Sequence, residues 1–275
     1  MKNLKQKGIK LLFVFSIMIG LFTLGCAKQE PMSDNTALKE STSSESSRFW
    51  WLFKKKKVAK YPNVKFMVVA DLHYFDPSLG TSGKAFEAAV AKDRKLLAES
   101  KRLLDAFVKK AIASSAEFVI IPGDLTKDGE KISHQKVAES LAKIEKSGKK
   151  VYVIDGNHDI NNPHSYKFVG DKNIPTPTVN DKEFKQIYKD FGYSEALYQD
   201  PNSLSYVAEP KKGLWLLALE SCRWKENIGK SSPETDGKFS WNTLFWIRNM
   251  LKKAKDQGKK VLVFMHHGVI EHIKF

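Results

Sequence analysis

Four short segments carry the residue types that hold divalent cations. They are Asp71-Leu72-His73, Gly123-Asp124, Gly156-Asn157-His158-Asp159 and His266-His267. A carboxylate can bridge two cations, and imidazole and amide oxygen complete their shells. Two such ions about 3.5–4 Å apart clamp a phosphoryl group and make a water between them acidic. Taken singly, Asp-x-His and Gly-Asp recur by chance, and Asn and Asp favour turns without any ligand. Turn formation alone does not explain why every one of these turns offers metal-binding side chains.

Each segment ends an apolar run. Val64 to Ala70 precedes Asp71, Phe118 to Ile121 precedes Pro122-Gly123, Val151 to Ile154 precedes Gly156, and Val261 to Phe264 precedes Met265-His266. Between the first two runs, Phe86, Val90, Leu96-Leu97, Leu103-Leu104, Phe107-Val108 and Ala111-Ile112 recur at steps of three and four. That spacing predicts one long amphipathic helix. Ile132, Val137, Leu141 and Ile144 predict a second helix, closed by Gly148. Strand, helix, strand, helix, strand implies a parallel sheet covered by helices. The ligand site of such a sheet lies beyond the carboxyl ends of its strands, where these segments fall.

Further along, residues 161–180 are rich in Pro and Asn and read as a loop, and Asp181 to Phe191 as a short helix. Ser203–Ala208 and Leu214–Leu219 read as a strand pair, residues 221–239 as a loop, and Ser240 as the cap of a helix through Leu244, Ile247 and Leu251.

Together, Asp71-x-His73, Gly123-Asp124, Gly156-Asn157-His158-Asp159 and His266 resemble the first four blocks of the calcineurin-like metallophosphoesterases, over about residues 64–267. Gly-Asp-Leu-Thr-x-x-Gly-Glu and Gly-Asn-His-Asp-Ile look closest to bacterial members grouped with cyclic-nucleotide phosphodiesterases. The resemblance implies an α/β fold, a two-sheet sandwich flanked by helices. It implies hydrolysis of phosphate esters, diester or monoester, by a hydroxide bridging two divalent ions such as Mn, Fe or Zn. Asp71 and His73 would ligate one ion, Asp124 would bridge, and Asn157 and His266 would ligate the second. His158 would assist the leaving group, and Asp159 would orient His158. His267 is expected as a neighbour of the site, and His134, His164 and His272 on the surface. The family closes its site with a Gly-His-x-His block that does not occur here, so the domain is expected to be C-terminally incomplete. A non-catalytic lipoprotein retaining the fold for binding is the alternative.

The N-terminal residues point to export. Lys2, Lys5, Lys7 and Lys10 precede an uncharged stretch from Leu11 to Gly25, which reads as a signal peptide too short to favour a full membrane span. Phe22-Thr23-Leu24-Gly25-Cys26 resembles a bacterial lipobox, which makes Cys26 the lipidated residue. The expected organisation is a signal peptide over 1–25, a Ser-rich tether with an aromatic-basic stub over 26–60, and the catalytic domain over 61–275. The stub, Phe49-Trp50-Trp51-Leu52-Phe53 followed by Lys54 to Lys57, suits either a membrane interface or aromatics docked on the folded domain with the lysines solvated. The expected location is therefore the extracytoplasmic face of a bacterial membrane, with secretion as the alternative.

Composition sets the outer limits. The chain has 275 residues, 42% apolar, with 46 Lys+Arg against 31 Asp+Glu. This excludes a wholly disordered chain, and two cysteines exclude a disulfide-stapled scaffold. The formal charge of +15 suits an anionic surface, but no nucleic-acid motif accompanies it.

Overall fold

The computed structural model describes residues 60–269. The signal peptide, Cys26, the aromatic-basic stub and His272 lie outside the described residues.

Three parallel strands, β1 (Phe66–Val68), β2 (Phe118–Pro122) and β3 (Lys150–Ile154), form the first sheet in the order β1-β2-β3. β2 is buried on both faces because it is central, so its sequence is continuously apolar rather than alternating. β1 is the edge, and its Phe66 stacks on Phe118 at 5.3 Å.

The second sheet has the order β6-β7-β8-β9, from β6 (Tyr198–Gln199), β7 (Tyr206–Lys211), β8 (Leu214–Leu219) and β9 (Lys260–Met265). β7 and β8 are antiparallel, whereas β9 runs parallel to β8. The parallel pairing points the end of β9, with His266, the same way as the end of β8.

Both sheets share one apolar core. Ile121 and Val153 of the first sheet cluster with Leu216 and Ala218 of the second. The Tyr206 hydroxyl crosses between the sheets to the Val153 carbonyl oxygen at 2.9 Å. Helices α2 (Ser100–Ala113) and α3 (Lys131–Lys146) seal the first sheet with Leu104, Val108, Val137, Leu141 and Ile144. Against the other face of the second sheet, α5 (Trp241–Asp256) places Met250 and Ala254 on Trp215 and Leu217. This is the expected sandwich of two sheets flanked by helices. The Ser240 side chain caps α5 by accepting from the Thr243 amide, as expected.

Three local expectations are corrected. The long helix is two helices. α1 (Lys84–Lys92) stops where Asp93 turns extended, and α2 begins at Ser100. Between them Leu97 is buried with Phe75, Phe86 and Phe168, so its apolar character serves a loop anchor and not a helical stripe. Residues 161–180 contain a hairpin, β4 (Tyr166–Val169) with β5 (Lys172–Pro175), turned at Gly170. The short helix α4 (Asp181–Ile187) ends earlier than expected, and a separate turn covers Lys189–Tyr193.

Candidate metal centre

The first two strands deliver their ligands through strained turns. Asp71, His73 and Asp124 all adopt positive φ, at 56°, 41° and 51°. Non-glycine residues rarely sit there, and such strain concentrates where side-chain direction matters more than local stability. The glycines have a separate reason. A Cβ on Gly156 would lie 2.1 Å from the Asp124 amide nitrogen and 2.2 Å from its Oδ1. Gly123 at φ 93° would likewise meet the Gly156 backbone at 2.7 Å. Two glycines thus let the β2 and β3 exits touch backbone to backbone.

The side chains converge around Asp124. Its Oδ2 lies 3.4 Å from His73 Nε2, which lies 3.9 Å from Asp71 Oδ1. Its Oδ1 lies 3.6 Å from His266 Nε2, which lies 2.9 Å from Asn157 Oδ1. One carboxylate therefore faces two ligand clusters, one with each oxygen. Ligand atoms of Asp71, Asp124 and His266 all lie within 4.8 Å of one another. The two imidazoles are aimed by backbone carbonyls, His73 Nδ1 at Thr126 O (3.4 Å) and His266 Nδ1 at Pro122 O (3.0 Å). This leaves both Nε2 atoms facing the cluster.

The electrostatics fit cations. Burial, with Lys95 and His158 nearby, lowers His73 to about 4, so its imidazole is neutral, the form that binds metal. Burial is also the main influence raising Asp124 to about 6. Its Oδ1 accepts one backbone bond, from the His158 amide at 3.0 Å. A buried carboxylate with so few donors is costly to ionise without a positive partner. Oxygen and imidazole donors of this kind suit Mn, Fe or Zn.

His158 sits beside this cluster, its ring edge-on to His73 with centroids 5.1 Å apart. Its Nδ1 is 2.7 Å from Asp128 Oδ1. Asp128 accepts only, so Nδ1 carries the proton and donates it to that oxygen. Burial alone would lower His158, but the Asp128 hydrogen bond and the Asp124 charge outweigh it and raise it. Burial alone would raise Asp128, and the His158 bond with the Lys127 and Lys95 charges holds it well below the usual carboxylate range. Asn162 Nδ2 also reaches Asp128 Oδ1, at 3.4 Å.

Asp159 is not the partner of the His158 ring. Its Oδ1 accepts from the Thr126 amide and hydroxyl, both at 3.0 Å. Its Oδ2 accepts from the Leu125 amide at 3.1 Å and the Gly156 amide at 2.8 Å. It ties the β2 and β3 exit loops together and so fixes Asp124 against Asn157. Asp128 occupies one of the two unspecified positions of Gly-Asp-Leu-Thr-x-x-Gly-Glu, and nothing local in the sequence separates it from Lys127. Lys95, from the loop between α1 and α2, is equally unheralded. Its Nζ is 3.1 Å from His158 Nδ1 and 3.2 Å from the Lys127 carbonyl oxygen.

The other histidines divide. His267 is a neighbour and not a ligand. Its Nδ1 meets Ser221 Oγ at 2.7 Å and its Nε2 meets Thr235 O at 3.0 Å. His164 Nε2 reaches the Ser231 carbonyl oxygen at 2.9 Å on the surface. His134 corrects its expectation, because it is fully buried. It joins the Tyr188 hydroxyl (2.8 Å) to the Asp159 carbonyl oxygen (2.8 Å), and so supports the Asp159 loop from behind.

The sequence model of the calcineurin-like phosphoesterase family matches residues 64–274. Among solved structures, the crystal structure of a dimetal phosphatase from Danio rerio is similar, with a TM-score of 0.49 and 16% identity, covering 76% of this chain and 71% of that one. No curated protein matches the sequence.

Proposed function

This chain belongs to the calcineurin-like phosphoesterase family, metal-dependent hydrolases of phosphate esters, and from that premise we propose that it hydrolyses its substrate with two divalent ions held either side of Asp124. The observation that supports this most is the split of the Asp124 carboxylate. Oδ2 turns to His73 and Asp71, and Oδ1 turns to His266 and Asn157. Ions held there supply Lewis acidity toward phosphoryl oxygens and a water acidic enough to ionise near neutral pH.

The remaining work falls to the chain's own residues. His158 has Nδ1 engaged by Asp128, which leaves Nε2, 3.4 Å from Lys95 Nζ, as the atom to give a proton to the departing ester oxygen. Lys95 places a positive charge next to that imidazole, where the phosphoryl group's negative charge would meet it. Asp159 and His134 hold the two ligand loops in register.

The reading extends to the N-terminal residues, with Cys26 lipidated and the domain tethered at the extracytoplasmic face of a bacterial membrane. The Lys-rich start, the uncharged Leu11–Gly25 stretch and the Leu24-Gly25-Cys26 sequence support it. Among the described residues no helix is long and apolar enough to cross a membrane. Incorporation of labelled palmitate at Cys26 tests the anchor.

The test of the hydrolase is turnover of p-nitrophenyl phosphate esters in manganese. Activity should vanish with chelator, return with manganese, and fall in Asp124→Asn. Turnover indifferent to chelator, or to Asp124→Asn, would overturn it.

A further inference from the structure

A cleft of about 390 Å³ opens directly beside the ligand cluster, and the proposed chemistry leaves it without a role. Asp71 and His73 form one side, so the cleft is continuous with one half of the metal centre. The lining continues with the loop that breaks the expected long helix, Asp93, Arg94, Lys95 and Leu96, together with Leu103 from the first turn of α2. Leu72, between the two ligands, completes the wall.

The lining is amphipathic in a specific way. Leu96 and Leu103 are 64% and 48% exposed, apolar surface held open beside a polar centre. Lys95 is shared between Asp93 at 3.5 Å and Asp128 at 3.7 Å. Arg94 makes no ion pair among the described residues. Its planar guanidinium can stack on a ring as well as attract an anion. The volume lies in the lower part of the about 300–1,000 Å³ range of small-molecule sites. It holds one ring-bearing group and not a macromolecule.

We propose that this cleft binds the retained organic group of a phosphodiester, a planar or apolar group of about nucleoside size, and that Arg94, Leu96 and Leu103 select for it. The proposal rests on the two-metal hydrolase reading and narrows its substrate from phosphate esters in general to diesters whose second ester group fills this space. In the reaction, water oxygen bonds to phosphorus, the bond to the other ester oxygen breaks, and the retained group leaves the cleft still attached to phosphate. Inorganic phosphoanhydrides and small alkyl esters would leave the leucines uncovered.

Two esters with the same leaving group test it, p-nitrophenyl methyl phosphate and the p-nitrophenyl ester of thymidine 5′-phosphate. Both release p-nitrophenolate, so the retained group accounts for the contrast. In manganese, kcat/KM for the thymidine ester should exceed that for the methyl ester by about tenfold or more. Leu96→Ser with Leu103→Ser should bring the ratio toward one. Because the ratio is taken on one protein sample, a partly folded variant still reports it. A ratio near one in the unaltered chain, or a ratio unmoved by the double substitution, would overturn the subsite and leave the hydrolase reading standing. Failure to turn over either ester, while chelator-sensitive turnover of p-nitrophenyl phosphate persists, would also overturn the subsite. No manganese-dependent turnover of any of the three would overturn the hydrolase reading and the subsite with it.

Discussion

His158 Nδ1 lies 2.7 Å from Asp128 Oδ1, while both oxygens of Asp159, the next residue in the chain, point away into a knot of backbone amides. Two carboxylates near one imidazole therefore have separable jobs. One sets the proton on the ring, and the other holds the loops that carry the ligands.

Replacing each carboxylate should expose that division. Asp128→Asn keeps the shape but weakens the hold on Nδ1 and unpairs the buried Lys127, so kcat should fall about 10–100-fold with metal content nearly unchanged and the fold destabilised. Asp159→Asn removes a charge that receives four hydrogen bonds, so stability should drop by about 3 kcal/mol and metal should be lost with it. Denaturant unfolding and elemental analysis on both variants check this. Loss of metal in Asp128→Asn, or full metal retention in Asp159→Asn, would contradict the division.

His158→Ala removes a proton donor without removing a proposed ligand. It should retain metal and lose about 10²–10⁴-fold in rate. Loss of metal together with rate would reassign His158 as a ligand.

The expectations that held rest on local patterns. An apolar run ending in Gly-Asp or Gly-Asn-His-Asp states both its burial and its chemistry, because a parallel strand covered on both faces has no polar face to show. What stayed hidden depends on distant partners. Leu96 and Leu97 continue the helical spacing, yet Leu97 is claimed by Phe75 and Phe168 from other segments, and the helix gives way. Tyr166–Val169 and Lys172–Pro175 look loop-like because only Phe168 among them is buried. His134 reads as a surface helical residue until Tyr188, 54 positions later, packs on it. Asp128 and Lys95 reach His158 across 30 and 63 residues, distances over which no spacing rule operates.

Gly156→Ala tests the close approach of the two loops. The added carbon would lie 2.2 Å from Asp124 Oδ1 and 2.1 Å from a backbone nitrogen, so a shift is unavoidable. Metal affinity should fall at least about tenfold with a loss of about 2 kcal/mol in stability. Unchanged metal binding, measured by manganese titration, would show that the contact is not what positions Asp124.

Glu130 gives a pH signature away from the ligands. It is fully buried, its Oε1 has no partner among the described residues, and burial above all pushes it up to about 7 from 4.5. The folded chain binds the proton more tightly than the unfolded chain, so this group's stability is full below pH 4.5 and is lost as pH rises through 7. Glu130→Gln stays neutral, so it should stabilise the fold by about 1–3 kcal/mol at pH 8 and hardly at all at pH 4.5. Thermal unfolding at both pH values checks it. A gain at the lower pH alone would reverse the assigned sign.

The central claim is that Asp124 is shared by two cations. Low-temperature electron paramagnetic resonance of the manganese-loaded chain tests it most directly, because two ions joined by one carboxylate are exchange-coupled and isolated ions are not. The account predicts a coupled-pair spectrum with two manganese per chain, converting to an isolated-ion spectrum in Asp124→Asn. An isolated-ion spectrum from the unaltered chain at saturating manganese, or coupling that survives Asp124→Asn, would contradict it.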